Sequence, residues 1–128
     1  AIMEIELKES GNQRLKEDDY KGAADMYSKA ISLMRAKPHS KRDETLWIAL
    51  HNNLAQARLK MQWFDSAYEC SEEVLSVQPM NHKALYRAAL AKMGKMNFSD
   101  ASLLADKLAT VAPLAAAELH RNIHREQH

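Results

Sequence analysis

The feature that most constrains this chain is an internal repeat. The segment WFDSAYECSEEVLSVQP (63–79) aligns with NFSDASLLADKLATVAP (97–113). Phe64 recurs as Phe98, Ala67 as Ala101 and Pro79 as Pro113, each 34 residues on. Upstream, DYKGAADMYSKAISLM (19–34) has the same shape, with Tyr20 for Phe64 and Ala23 for Ala67, 44 residues earlier. The first interval therefore carries ten extra residues, 44 against 34. Such a period marks a unit that cannot bury its apolar face alone and is stabilised by stacking on its neighbours.

Within each unit the apolar spacing is helical. Leu7, Gly11 and Leu15 mark one helix, and Ala23, Tyr27, Ala30 and Ile31 mark its partner. A short polar break, KEDD or KMNFS, separates the two. Recurrent small residues lie where two helices cross closely, because a larger side chain would push the backbones apart. Pro79 and Pro113 are expected to stop the second helices of units two and three, while unit one has Arg35 at that register. The ten extra residues fall around MRAKPHSKRDETLW. Ser40 with Asp43 three residues on reads as a capping box. The second helix of unit one should run long and the first helix of unit two should start early. Arg35, Lys37, Lys41 and Arg42 read as a solvated basic connection. After Pro113, the stripe Ala115, Leu119 and Ile123 predicts a seventh helix covering unit three.

Composition narrows the class. Eighteen basic and seventeen acidic residues give a net charge of +1, which argues against a general nucleic-acid binder. Three Gly and three Pro are few for a turn-rich β protein. No apolar run reaches the length that crosses a membrane, and the single Cys70 allows no intrachain disulfide. The chain opens on Ala1 and stops in helical-looking sequence, so we expect a domain excised from a longer protein.

One helix stands out electrostatically. NHKALYRAALAKMGK (81–95) carries Lys83, Arg87, Lys92 and Lys95 and no acid, and none occurs between Glu73 and Asp100. Lys83 and Arg87 are spaced i,i+4 and so share a face, where like charges cost about 0.2–0.5 kcal/mol.

A helix pair repeating every 34 residues resembles the tetratricopeptide repeat. The small position of its first helix is filled by Gly11, Ala55 and Ala89, and the aromatic position opening its second helix by Tyr20, Phe64 and Phe98. The frequent Trp of the first helix is absent. The resemblance implies an all-α fold, with three helix-turn-helix repeats in a right-handed superhelix plus a C-terminal capping helix. Repeat one covers about 4–37, an extended loop about 36–43, repeat two about 44–79, repeat three about 80–113 and the cap about 114–128. It also implies that the first helices line a concave groove.

In that frame Lys8, Asn12, Asn53, Lys83 and Arg87 resemble the two-carboxylate clamp of chaperone-binding tetratricopeptide domains. The clamp implies binding of an acidic C-terminal tail of the Glu-Glu-Val-Asp type from heat-shock chaperones, with the 90-kDa class favoured over the 70-kDa class. The chemistry suits it. A terminal Asp brings two carboxylates close together. Lys supplies point charge, Asn supplies uncharged donors and Arg supplies a planar fork. Leu15, Gln56, Lys60 and Leu90 are secondary groove candidates. The long first interval resembles large FK506-binding immunophilins and aryl-hydrocarbon-receptor-interacting proteins, which implies a cytoplasmic, and also nuclear, co-chaperone whose last helix meets clients. The competing reading is a scaffold for an internal segment of another protein.

Other residue sets carry less. Lys8 alone reads as a surface partner of Glu4, one turn earlier. Asn52 reads as structural or rim, His51 and His82 as structural, Cys70 as core, and Lys92 and Lys95 as ordinary surface charges. His120, His124 and His128 form a stripe without a Cys or acid to complete a metal site. No Gly-rich phosphate loop and no nucleophile–base spacing is present, so catalysis, cofactor and metal are not expected.

Overall fold

The computed structural model describes residues 2–127. Among them the chain forms α1 (Ile2–Lys16), α2 (Tyr20–Arg35), α3 (Glu44–Lys60), α4 (Phe64–Val77), α5 (His82–Gly94), α6 (Phe98–Ala109) and α7 (Pro113–Gln127), with one 3-10 turn at His39–Lys41. Tyr20, Phe64 and Phe98 each open a second helix, as their register predicts.

One backbone device sets the turn inside each unit, and a side-chain cap joins it in units one and three. Asp18, Gln62 and Met96 adopt left-handed backbone, with φ of 61°, 61° and 60°. The next N–H reaches back five residues: Asp19 to the Arg14 carbonyl (2.9 Å), Trp63 to Arg58 (2.8 Å) and Asn97 to Lys92 (2.8 Å). This closure satisfies carbonyls that the end of a helix leaves orphaned. The residue that closes one helix then caps the next. Asp19 accepts from the Gly22 N–H (2.9 Å) and Asn97 from the Asp100 N–H (3.2 Å), each cap contributing about 1 kcal/mol. Trp63, at the same register, has no side-chain cap. The 44- and 34-residue intervals are therefore written in the backbone as well as in the side chains.

Each helix packs on the next in the chain. The first helices α1, α3 and α5 also touch in series, and α7 extends that row beside α5. They form the inner layer of a helical superhelix, backed by α2, α4 and α6. Crossings run through small buried residues: Ala23, Ala67 and Ala101 are all fully buried. Tyr27, Met34, Trp47, Leu50 and Leu54 build one core between units one and two. Leu85, Leu108, Leu119 and Ile123 build another under the last helix, so α7 caps unit three. Among the described residues no helix is long and apolar enough to cross a membrane.

Several expectations are corrected. α2 does run long and α3 does start early, at 16 and 17 residues. Ser40, however, lies in the 3-10 turn, and Asp43 is the cap, accepting from the Leu46 N–H at 3.1 Å. Pro113 does not stop α6, which ends at Ala109. It opens α7 instead, a position where its missing N–H costs nothing. The basic connection is docked rather than merely solvated. Arg42 donates to the Met34 and Arg35 carbonyls (3.1 and 3.2 Å) and lies 4.9 Å over the Trp47 ring. Lys37 reaches back to the buried carboxylate of Glu4 on α1. Glu4 is thus engaged by a residue 33 positions away and is not a surface partner of Lys8.

Candidate functional site

The inner layer brings the five clamp candidates onto neighbouring helices. Lys8 and Asn12 lie on α1, Asn53 on α3, and Lys83 and Arg87 on α5. Asn12 and Asn53 touch across the α1–α3 contact: the Asn53 amide donates to Asn12 Oδ1 at 3.1 Å. The Tyr27 hydroxyl donates to the same oxygen at 2.6 Å. With Oδ1 occupied twice, the Asn12 amide group remains a donor. Arg87 Nη2 donates to Gln56 Oε1 at 3.2 Å across the α3–α5 contact, while Arg87 Nη1 is buried without a partner. Burial pulls the Arg87 guanidinium below its ordinary value, but a guanidinium stays charged at any physiological pH.

The charges here differ from their neighbours. Lys92 pairs with Asp100 at 3.8 Å and lies 4.1 Å over the Tyr68 ring, and Lys95 pairs with Asp65 at 3.2 Å. Both are therefore anchored to acids elsewhere in the chain. Among the described residues Lys8 and Lys83 have no ion-pair partner.

The secondary candidates divide. Gln56 holds Arg87 directly. Leu15 and Leu90 are half-buried against the two cores, and Lys60 is exposed at the end of α3. Asn52 is buried and donates to Asn81 Oδ1 at 3.4 Å, consistent with a structural role. His51 is buried with Nδ1 2.9 Å from the Trp47 carbonyl. Cys70 is buried too, with Arg58 donating to its Sγ at 3.1 Å, and burial pushes its thiol up. His120 faces Asp106 at 3.0 Å, and His128 lies outside the described residues.

Tyr27 was visible in the sequence only as a core marker. The available signal was a pairing: Gly11 and Tyr27 in unit one correspond to Ala55 and Ser71 in unit two, and to Ala89 and Ala105 in unit three. All six are buried. A Cβ at Gly11 would sit 2.6 Å from Tyr27 Cε1. The glycine is what lets the ring lie against α1 with its hydroxyl beside Asn12.

No family model matches the chain. Individual proteins do. Tetratricopeptide repeat protein 9C of Xenopus tropicalis is 31% identical over 129 residues, covering 84% of this chain and 72% of that protein. Human sperm-associated antigen 1 is 35% identical over 82 residues, covering 64% of this chain but 8% of that protein. The human peptidyl-prolyl cis-trans isomerase FKBP4 is 31% identical over 97 residues, covering 72% of this chain and 21% of that protein. Among solved structures, the myosin chaperone UNC-45 from C. elegans in complex with a Hsp90 peptide superposes with a TM-score of 0.85 at 26% identity, covering 98% of this chain and 14% of that one. The second TPR domain of human RPAP3 in complex with an HSP70 peptide superposes at 0.81 with 22% identity, covering 96% of each chain. On its repeat register, its fold and its match to protein 9C, the chain belongs to the tetratricopeptide repeat family.

Proposed function

We propose that this domain is a non-catalytic module that binds the acidic C-terminal tail of a heat-shock chaperone, of the Glu-Glu-Val-Asp type. Lys8, Asn12, Asn53, Lys83 and Arg87 hold the two carboxylates of the terminal Asp. Lys8 and Lys83 supply charge from either side, the Asn12 and Asn53 amides donate between them, and the Arg87 fork takes a carboxylate or a backbone carbonyl. The observation that carries this reading is that donors from three separate helices line one layer while their cations lack acids. The acids are then supplied by the ligand. UNC-45 and RPAP3, which share the fold, are seen with peptides of Hsp90 and HSP70, and this supports the ligand class. Each charge-assisted bond contributes about 1.5–3 kcal/mol. Several of them, less ordering costs, suit a micromolar dissociation constant, about −8 kcal/mol. We take the parent protein to be an immunophilin-like co-chaperone of the cytoplasm and also the nucleus, and the similarity to the isomerase FKBP4 supports the immunophilin part of that reading.

Titration calorimetry with a chaperone C-terminal pentapeptide, as free acid and as C-terminal amide, tests the site. Amidation removes one of the two charges and should weaken binding by tenfold or more. Lys8→Ala should weaken binding and flatten its salt dependence. Equal affinity for acid and amide would instead favour a scaffold for an internal segment. Running tails of both chaperone classes decides the preference for the 90-kDa class.

A further inference from the structure

The hydrogen-bond chain behind the groove leads one step beyond the clamp. We infer that Tyr27, a buried residue of the second helix of unit one, is a positioning residue that makes the groove select a carboxylate over a carboxamide, by locking Asn12 in the orientation that presents N–H to the ligand. This rests on the clamp reading proposed above.

A carboxamide is ambivalent: one end donates and the other accepts. Asn12 can present N–H to the ligand only if its oxygen is held inward. Asn53 alone does not ensure this, because the two amides could flip together and still bond each other. The Tyr27 hydroxyl breaks that degeneracy. Its 2.6 Å separation from Asn12 Oδ1 matches O–H···O rather than N–H···O geometry, and a phenol is a better donor than acceptor. Burial pushes the Tyr27 hydroxyl up to about 12, so it keeps its proton. The ring reaches this place only because residue 11 is glycine. Neither other unit can reproduce the arrangement, since Ser71 and Ala105 occupy the Tyr27 register.

Tyr27→Phe keeps the ring and deletes the donor. The test is calorimetry on wild type, Tyr27→Phe, Asn12→Ala, Lys83→Ala, and the last two each combined with Tyr27→Phe, against the pentapeptide as acid and as amide. Tyr27→Phe should weaken the acid about fivefold, the size of one lost hydrogen bond, and leave the amide unchanged or tighter. In the Tyr27→Phe background Asn12→Ala should cost less than twofold more, while Lys83→Ala keeps its full effect. A merely structural role would weaken acid and amide alike and leave the Asn12→Ala effect intact. Either result, or an unchanged acid affinity, overturns the inference. Failure of wild type to prefer acid over amide overturns the clamp reading itself, and this inference with it.

Discussion

Gly11→Ala sets two known effects against each other. Alanine in place of glycine inside a helix is ordinarily worth about 0.5–1 kcal/mol. Here the new Cβ would lie 2.6, 2.9 and 3.0 Å from Cε1, Cδ1 and Cζ of Tyr27, where carbon atoms rest at about 3.5–4.0 Å. The ring would have to retreat by roughly 1 Å. Tyr27 is fully buried, its helix neighbours Ala23 and Ala30 are buried as well, and the hydroxyl is tied to Asn12. A rigid ring in a closed core gives way poorly, so overpacking should cost about 1–3 kcal/mol. The clash wins, with a net loss of about 1 kcal/mol. In urea this appears as a midpoint lower by roughly 0.5 M at unchanged m. Combining Gly11→Ala with Tyr27→Leu removes the ring edge, and there alanine should be neutral or stabilising. If Gly11→Ala alone raises the midpoint, the Tyr27 ring has room to move and the packing argument is wrong.

Three further outcomes are expected. Hydrogen bonding to Lys37 holds the Glu4 carboxyl below its ordinary value, against burial. Its stabilisation is present above about pH 4.5 and is lost as pH falls through the depressed folded value. Lys37→Met should therefore destabilise at neutral pH, by a margin that shrinks between pH 5 and pH 3 in urea titrations. Burial likewise pushes the His51 imidazole down, against its bond to the Trp47 carbonyl. Below about pH 6.5 the unfolded chain binds the proton that the folded chain refuses. Wild type should lose stability from pH 7 to pH 5, and His51→Leu should flatten that slope in thermal melts. Met96 is 73% exposed with φ of 60°. Met96→Gly relieves about 1–2 kcal/mol of left-handed strain against an entropic cost of about 0.5–1 kcal/mol, so a gain in stability of roughly 0.5 kcal/mol is expected, read as a higher urea midpoint at unchanged m.

The repeat was legible because its signals are local and periodic. Aromatic residues that open second helices, small residues at crossings and the seven-helix count all follow from spacing along the chain. The candidate groove residues were legible for the same reason. Once the register is known, Lys8, Asn12, Asn53, Lys83 and Arg87 are assigned to one face without knowing any contact. Capping at Asp43 rather than Ser40 was a near miss, since both are good capping residues three positions apart and only the helix start separates them.

Partnership was decided by the tertiary structure alone. Sequence spacing assigns Glu4 to Lys8, but packing gives it to Lys37, because the docked connection closes over the end of α1. Lys83, Lys92 and Lys95 look alike in one acid-free stretch, yet Lys92 meets Asp100 within its own unit, Lys95 meets Asp65 across the unit boundary, and Lys83 meets no acid among the described residues. Tyr27 reads as core in any periodic analysis. That its hydroxyl passes beneath Gly11 to Asn12 depends on an interhelix distance that no one-dimensional pattern encodes. Periodicity specifies which face a residue occupies. Which atoms meet across two faces is settled only when the helices are brought together.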